Sequence, residues 1–330
     1  MPARSCPSVS VVTPFYNSAR YLRECIESVL SQSLTDLEYV LLDNCSTDGS
    51  GAVAAEYAAR DARIRLVTGP RHLGQIDNFN RALGHVSPRS TYIKILGADD
   101  WLYPECLERM VQLADSSKSI GLVGSYSLAG RAVWSTGLPH DQTVFPGRDL
   151  CRRQLLEERF FFGSLSSVLY RASVVRAVEP FLDPQALHAD TERAYQTLRD
   201  HDFGFVHQIL SYLRTDNESV SSGIRDLNSN LLDLLIIIRR YGRDFLEPTE
   251  LAGCLRRCER EYYRAYLRQV VGPARRRFLA HHRRGLDRAR YRLSRRLLCA
   301  AALAEGADLL LNPKKTAGRL AAWLGLRPRA

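Results

Sequence analysis

The sequence predicts an α/β fold: a mostly parallel sheet flanked by helices, followed by a helical, arginine-rich extension. Three observations carry this prediction. Short apolar runs alternate with amphipathic segments through the first 130 or so positions. The runs are nearly unbroken, as in strands buried on both faces, rather than alternating apolar with polar. Charge is also uneven. From Leu251 onward 20 Lys and Arg face 5 Asp and Glu, a net of +15, whereas the first 250 residues carry a net of −5.

The elements follow in order. VSVVTP (9–14) is a short apolar run closed by proline, read as a strand. In residues 18–33 the positions Tyr21, Leu22, Cys25, Ile26, Val29 and Leu30 fall on one helical face, with Ser18 as N-cap. LEYVLLDN (37–44) is a second strand, and residues 46–61 are a turn and a helix. IRLVTG (64–69) is a third strand, 73–86 a helix, and TYIKIL (91–96) a fourth strand. Pro104 opens the next helix, as proline does in a first turn, and IGLVGSYSL (120–128) is a further strand. Later, VLYRASVVRAV (168–178) reads as a strand running into a helix, 190–200 as a short helix, and 203–214 as a strand. From about Arg225 the chain is helical. Strand alternating with helix is the signature of a sheet covered on both faces.

Composition narrows the class. With 330 residues, 45% of them hydrophobic, the chain can bury a sizeable core and is too apolar for disorder. The eight cysteines form no Cys-x-x-Cys pair, and Cys254 and Cys258 sit in a helical context. They read as thiols of a cytoplasmic protein rather than a disulfide or zinc framework. No apolar run reaches bilayer-spanning length, and the first residues lack the apolar core of a signal peptide.

Ligands of open parallel sheets bind beyond the carboxyl ends of the strands. Three sites fall there: TPFYN after the first strand, Asp43 and NCSTDGS after the second, and Asp99 with Asp100 after the fourth. Two adjacent carboxylates in a cleft repel and raise each other's pKa, a cost that a bound cation removes. Their oxygens suit Mg²⁺ or Mn²⁺, ions that share coordination with substrate phosphates. The alternative for either residue is to cap the helix that begins near Pro104. His140, His188, His201 and His207 match no compact metal site and read as surface or packing residues. Ser166 and Ser167 read as buried strand serines that face an acceptor only on a sharper reading.

The stretches VSVVTPFYNSARYLRECIESVLSQSL, LEYVLLDNCSTDGS and YIKILGADDWLYP, in this order and spacing, resemble the nucleotide-binding half of family 2 glycosyltransferases of GT-A fold. HLGQIDNFNRAL and the segment from FLDPQALHADTERAY to YLRTDNESVS extend the resemblance over residues 8–222. It implies a GT-A domain over 1–224, with a nucleotide-sugar half at about 8–125 and an acceptor half at about 126–224. Residues 225–330 are then a basic helical extension. It implies a metal-dependent, inverting transfer from a UDP- or dTDP-type sugar to a glycan or lipid-linked hydroxyl, in cell-surface polysaccharide synthesis. Pro14 and Tyr16 would pack on the nucleobase, and Asp43 would bond its edge. Asp99, with Asp100 beside it, would bind Mn²⁺ or Mg²⁺ on the diphosphate, and Asp190 would be the general base. The local sequence HADTERAY also fits Asp190 as a helix N-cap.

Four positions depart from the family pattern. Asn44 stands where a second Asp is usual, and Gly97 replaces the first Asp of Asp-x-Asp. Ala189 replaces the Glu before the base, and Asp216 stands where a His is common. These departures keep a second reading in view, a nucleotide-binding module of the same fold that does not catalyse. A third reading, an Arg-rich nucleic-acid binder, lacks a recognisable module, so no nucleic-acid partner is expected. A dinucleotide oxidoreductase is excluded by the absence of Gly-x-Gly-x-x-Gly after the first strand.

The basic extension has two readings. Residues from about Leu251 to Leu298 read as amphipathic helices whose polar faces are mostly arginine. These either pack on the protein or in an oligomer, or adhere to an anionic membrane surface, where each basic residue contributes about 1 kcal/mol. The second reading predicts a peripheral protein on the cytoplasmic leaflet.

Overall fold

The computed structural model describes residues 8–215, 227, 229–270 and 275–312. The chain divides into two compact units, Met1–Asn217 and Glu218–Ala330. The boundary expected at residue 224 lies outside the described residues, as does Asp216.

The first unit is built on one ten-stranded sheet. Its strands are β1 (Val9–Phe15), β2 (Leu37–Asp43), β3 (Ile64–Thr68), β4 (Tyr92–Ile95), β5 (Trp101–Leu102), β6 (Ile120–Ala129), β7 (Ala132–Trp134), β8 (Val144–Phe145), β9 (Val168–Arg171) and β10 (Asp202–Leu213). The order is β3-β2-β1-β4-β9-β6-β10-β5, with β7 on β6 and β8 on β10. The β3-β2-β1-β4 half is parallel throughout, and β6 and β10 are also parallel. The other pairings are antiparallel. β9 runs against both β4 and β6, so the sheet is mixed beyond β4.

The parallel half is explained by its residues. All of β1 is buried, because helices cover both faces of the sheet. Val9, Val11 and Phe15 share one face with Tyr39 and Leu41 of β2. Helices α1 (Ala19–Leu30), α2 (Ser50–Arg60) and α4 (Cys106–Asp115) supply Leu22, Ile26, Ala54, Leu107 and Met110 to that core. Helix α3 (Gln75–Leu83) packs on β1 and β2 through residues such as Phe79 that lie outside this cluster. The rest of this unit adds α5 (Gly147–Glu157), a 3-10 turn (Leu165–Ser167), α6 (Ala172–Arg176) and α7 (Ala189–Leu198). One element differs from expectation at the site. The short strand β5 intervenes between the paired aspartates and α4, whose N-cap is Glu105. Neither Asp99 nor Asp100 caps that helix.

The second unit consists, among the described residues, of helices α8 (Ser229–Phe245), α9 (Pro248–Val270), α10 (Arg275–Arg288) and α11 (Arg295–Leu311). Cys254 and Cys258 lie one turn apart on the buried face of α9, in no disulfide, beside Tyr262 and Tyr263. His282 of α10 is buried between Tyr262, whose hydroxyl lies 2.8 Å from Nδ1, and the Leu227 carbonyl, 2.6 Å from Nε2. The carbonyl can only accept, so Nε2 carries the proton. Burial pushes the imidazole down to about 4. Unfolded histidine protonates near 6.5, so between that pH and about 4 the unfolded chain binds the extra proton. Stability should therefore fall as pH drops through this window. The urea midpoint of the wild type is expected to fall more between pH 7 and pH 5 than that of His282→Gln. Equal pH dependence in the two proteins would refute this account.

Several tail arginines belong to packing. Arg264 and Arg268 of α9 grip Glu305 of α11 at 2.5 and 2.6 Å, and Arg264 lies 3.6 Å from Asp308. Helix α11 turns Glu305 and Asp308 toward α9 and leaves Leu303, Leu310 and Leu311 exposed.

Candidate functional site

The ends of β1, β2 and β4 build the site. Beyond Phe15, Tyr16 is 47% exposed, and its ring meets His72 edge-on at 4.4 Å between centroids. Asn17 adopts the left-handed region (φ 47°), where Asn is tolerated, and its Oδ1 accepts the Thr47 N–H at 2.8 Å. Asn17 N–H donates to Ser46 Oγ at 3.1 Å. The loops after β1 and β2 are thus tied together.

Asp43 closes β2, paired in register with Phe15 and Thr68. It is largely buried, and its Oδ1 accepts the Ser46 N–H at 2.8 Å. A Cβ on Gly51 would stand 2.9 Å from Asp43 Oδ2, so only glycine lets the first turn of α2 close over this carboxylate. Asn44 has a structural task. Its Nδ2 donates to the Leu73 carbonyl and its Oδ1 accepts the Leu73 N–H, both at 2.9 Å. A carboxylate cannot donate, so the departure from a second Asp is explained by this clamp. Asn44→Asp is expected to set an anion against the Leu73 carbonyl. It should cost about 1–3 kcal/mol, the usual penalty of a broken buried hydrogen bond, seen in thermal unfolding. An unchanged Tm would remove the clamp from the account.

β4 delivers the aspartate pair. Leu96 N–H bonds the Val12 carbonyl at 3.0 Å, which places Gly97 just past the central strands. A Cβ on Gly97 would lie 3.0 Å from Asp99 Oδ1, 3.1 Å from Asp100 Oδ2 and 3.4 Å from Ser166 Oγ. Both carboxylates therefore converge over Gly97, where a side chain would crowd them. Burial, and then the charge of Asp99, push Asp100 up to about 7. Opposing this, its carboxylate bonds the Ser166 hydroxyl and accepts the Arg214 N–H at 2.9 Å.

Three contributors were not among the expected site residues. Arg214, just past β10, also donates through Nε to the Asp99 carbonyl at 3.0 Å and pairs with Glu24 at 2.7 Å. Its guanidinium lies over the rings of Tyr21 and Trp101, at 4.4 and 5.2 Å. Ser166 is not a strand serine: it lies in the 3-10 turn, where its Oγ accepts the Gly97 N–H at 3.0 Å. Lys94, fully buried in β4, holds that turn by donating to the Ser166 and Val168 carbonyls at 2.7 and 3.0 Å. A lysine inside an apolar run was the one sequence signal for this, since a buried ammonium needs partners.

Asp190 stands one residue inside α7, whose N-cap is His188, and its Oδ1 accepts the Thr191 N–H at 2.8 Å. The first turn of a helix favours an anion there. Its charge acts on the Tyr170 phenol in β9, the strand next to β4. Among the described residues no group of three or more His, Cys, Asp or Glu gathers to hold a metal ion. The aspartate pair by itself offers two carboxylates and no further ligand of this kind among the described residues. It fits a cation that takes its remaining ligands from a substrate.

Comparison with known proteins bears on the family and the fold. The family model for glycosyl transferase family 2 matches residues 10–178. The uncharacterized glycosyltransferase EpsJ of Bacillus subtilis (strain 168) is 35% identical over 118 residues, 36% of this chain and 33% of EpsJ. EpsH of the same organism, whose glycosyltransferase assignment is itself provisional, is 31% identical over 246 residues, 73% of this chain and 65% of EpsH. The chain thus spans less than two thirds of these curated relatives. Among solved structures, S. aureus TarS 1–349 in complex with UDP-GlcNAc superposes with a TM-score of 0.57 at 16% identity, covering 78% of this chain and 72% of that one. The mannosyltransferase PcManGT from Pyrobaculum calidifontis, in complex with GDP-Man and Mn²⁺, gives 0.55 at 20% identity, covering 98% and 86%. At such identity these neighbours speak for the fold alone, which is GT-A. With its family model matched over just over half of the 330 residues, the chain belongs to glycosyl transferase family 2.

Proposed function

We propose that the protein transfers a sugar from a nucleoside diphosphate sugar to a hydroxyl of a glycan or lipid-linked acceptor, with inversion, in the assembly of a surface polysaccharide. The observation that carries this reading is the convergence of Asp99 and Asp100 over Gly97, beside the ends of β1 and β2. The neighbouring structures, which hold UDP-GlcNAc or GDP-Man with Mn²⁺, support the donor class.

Asp99 and Asp100 would hold a Mn²⁺ or Mg²⁺ ion, and such an ion supplies positive charge to the diphosphate as it departs. Arg214 fixes the orientation of Asp100 and of the Asp99 backbone. Tyr16, exposed and buttressed by His72, offers a flat surface for the base, on the turn that Pro14 and Phe15 anchor. Asp43, one oxygen committed to Ser46, is the acceptor for a base N–H. Asp190 takes the proton from the acceptor hydroxyl. That oxygen forms a bond to the anomeric carbon as the bond to the β-phosphate oxygen breaks, and the electron pair leaves with the nucleoside diphosphate.

The test uses the full-length chain with UDP-, dTDP- and GDP-sugars, each with Mn²⁺, Mg²⁺ or EDTA. Nucleotide binding is measured by calorimetry and nucleoside diphosphate release by a coupled assay. One nucleotide class is expected to bind, tighter with metal than with EDTA. Binding of none, or binding unaffected by EDTA, would overturn the proposal.

A further inference from the structure

Helix α11 is arranged inside out. Its two acids, Glu305 and Asp308, face Arg264 and Arg268 of α9, and Ala301 is buried with Glu305. Four of its six leucines face solvent: Leu303 is 76% exposed, Leu310 85%, Leu311 79% and Leu297 38%, while Leu298 and Leu309 are half-buried. Leu303 and Leu310 are seven residues apart, so they lie on one side of the helix, with Leu311 adjoining them. Between Leu297 and Asn312 the only charged residues are these two acids, and both are engaged with arginine. The outward face is therefore wholly uncharged.

We infer that this face lies in the interface of an anionic bilayer, with α11 parallel to the surface. Its ends are basic. Arg295 and Arg296 are exposed at its start, and Lys314 and Lys315 follow it in sequence. A second copy of the helix would bring like charges together in either direction, Arg on Arg if parallel and Arg on Lys if antiparallel. Residues 313–330 as a cover would bring five basic groups, Lys314 and Lys315 among them, and no acid. An anionic lipid surface alone satisfies both the leucines and the charged ends. No helix among the described residues is long and apolar enough to cross a membrane, so α11 would lie in the interface rather than span it. The inference is independent of the transferase reading.

The experiment is co-sedimentation of the full chain with vesicles. Binding is expected to phosphatidylcholine vesicles containing phosphatidylglycerol at low salt, with release at high salt, and much weaker binding to phosphatidylcholine alone. The triple variant Leu303→Ser, Leu310→Ser, Leu311→Ser should lose partitioning by about tenfold or more. Arg295→Gln with Arg296→Gln should lose about tenfold on anionic vesicles only. Thermal unfolding checks that the variants fold; exposed positions make that the expected result. Several outcomes would overturn the inference. One is wild-type protein indifferent to anionic vesicles, and another is a leucine variant that binds as well as wild type. A leucine variant that changes oligomeric state and leaves vesicle binding unaltered assigns the face to a second copy. Binding that appears only on deletion of 313–330 assigns it to the chain's own end.

Discussion

Asp99→Ala is expected to reduce sugar transfer by more than about a hundredfold while the fold survives. A lost electrostatic partner of a developing anion typically costs this much. Asp99 is one of two carboxylates whose oxygens meet over Gly97, and the protein offers no third acid, histidine or cysteine to replace it among the described residues. The surrounding structure does not depend on its carboxylate alone. The Asp99 carbonyl, which holds Arg214, is backbone and survives the substitution, and Asp100 keeps its Arg214 N–H. The direct readout is Mn²⁺ binding in the presence of nucleoside diphosphate, by electron paramagnetic resonance, beside the transfer rate. A variant that binds Mn²⁺ like wild type, or transfers at the wild-type rate, would refute the metal assignment.

Asp190→Asn should leave donor and metal binding unchanged and lower kcat by about a hundredfold or more, because an amide cannot accept the acceptor's proton. The substitution is nearly isosteric. Asn can still accept the Thr191 N–H through its carbonyl oxygen, so α7 should keep its first turn. Retained kcat would place the base elsewhere. Glu192, the other first-turn acid, is 1% exposed, which makes it a poor substitute for a group that must reach a bound hydroxyl. Loss of donor binding along with kcat would mean that Asp190 shapes the nucleotide site rather than acting as base.

These two residues show how differently the site was legible in the sequence. Asp99 and Asp100 announced themselves, because two adjacent carboxylates after a buried strand have few purposes. The structure removes the helix-cap alternative: β5 and Glu105 stand between the pair and α4. Asp190 sat in a local sequence that fitted an N-cap equally well, and only the start of α7 at Ala189 separates the two positions.

The sequence by itself determined the parallel half of the sheet, since unbroken apolar runs followed by polar turns are local features, and β1, β2, β3 and β4 appear where those runs lie. It also determined which strand ends carry acids. Tertiary structure decided what depends on distant chain segments meeting. Arg214 lies 114 positions from Asp100 and Ser166 lies 69 from Gly97, and no local pattern encodes such contacts. The same holds for Asn44, a departure until its two hydrogen bonds to Leu73 are seen, and for β9, whose antiparallel insertion turns the sheet mixed. The last helix is the clearest case. Its sequence allowed leucines inward and charges outward, the usual arrangement for a helix beside water. Arg264 and Arg268 of α9 hold the acids on one side, and Leu303, Leu310 and Leu311 are left on the other.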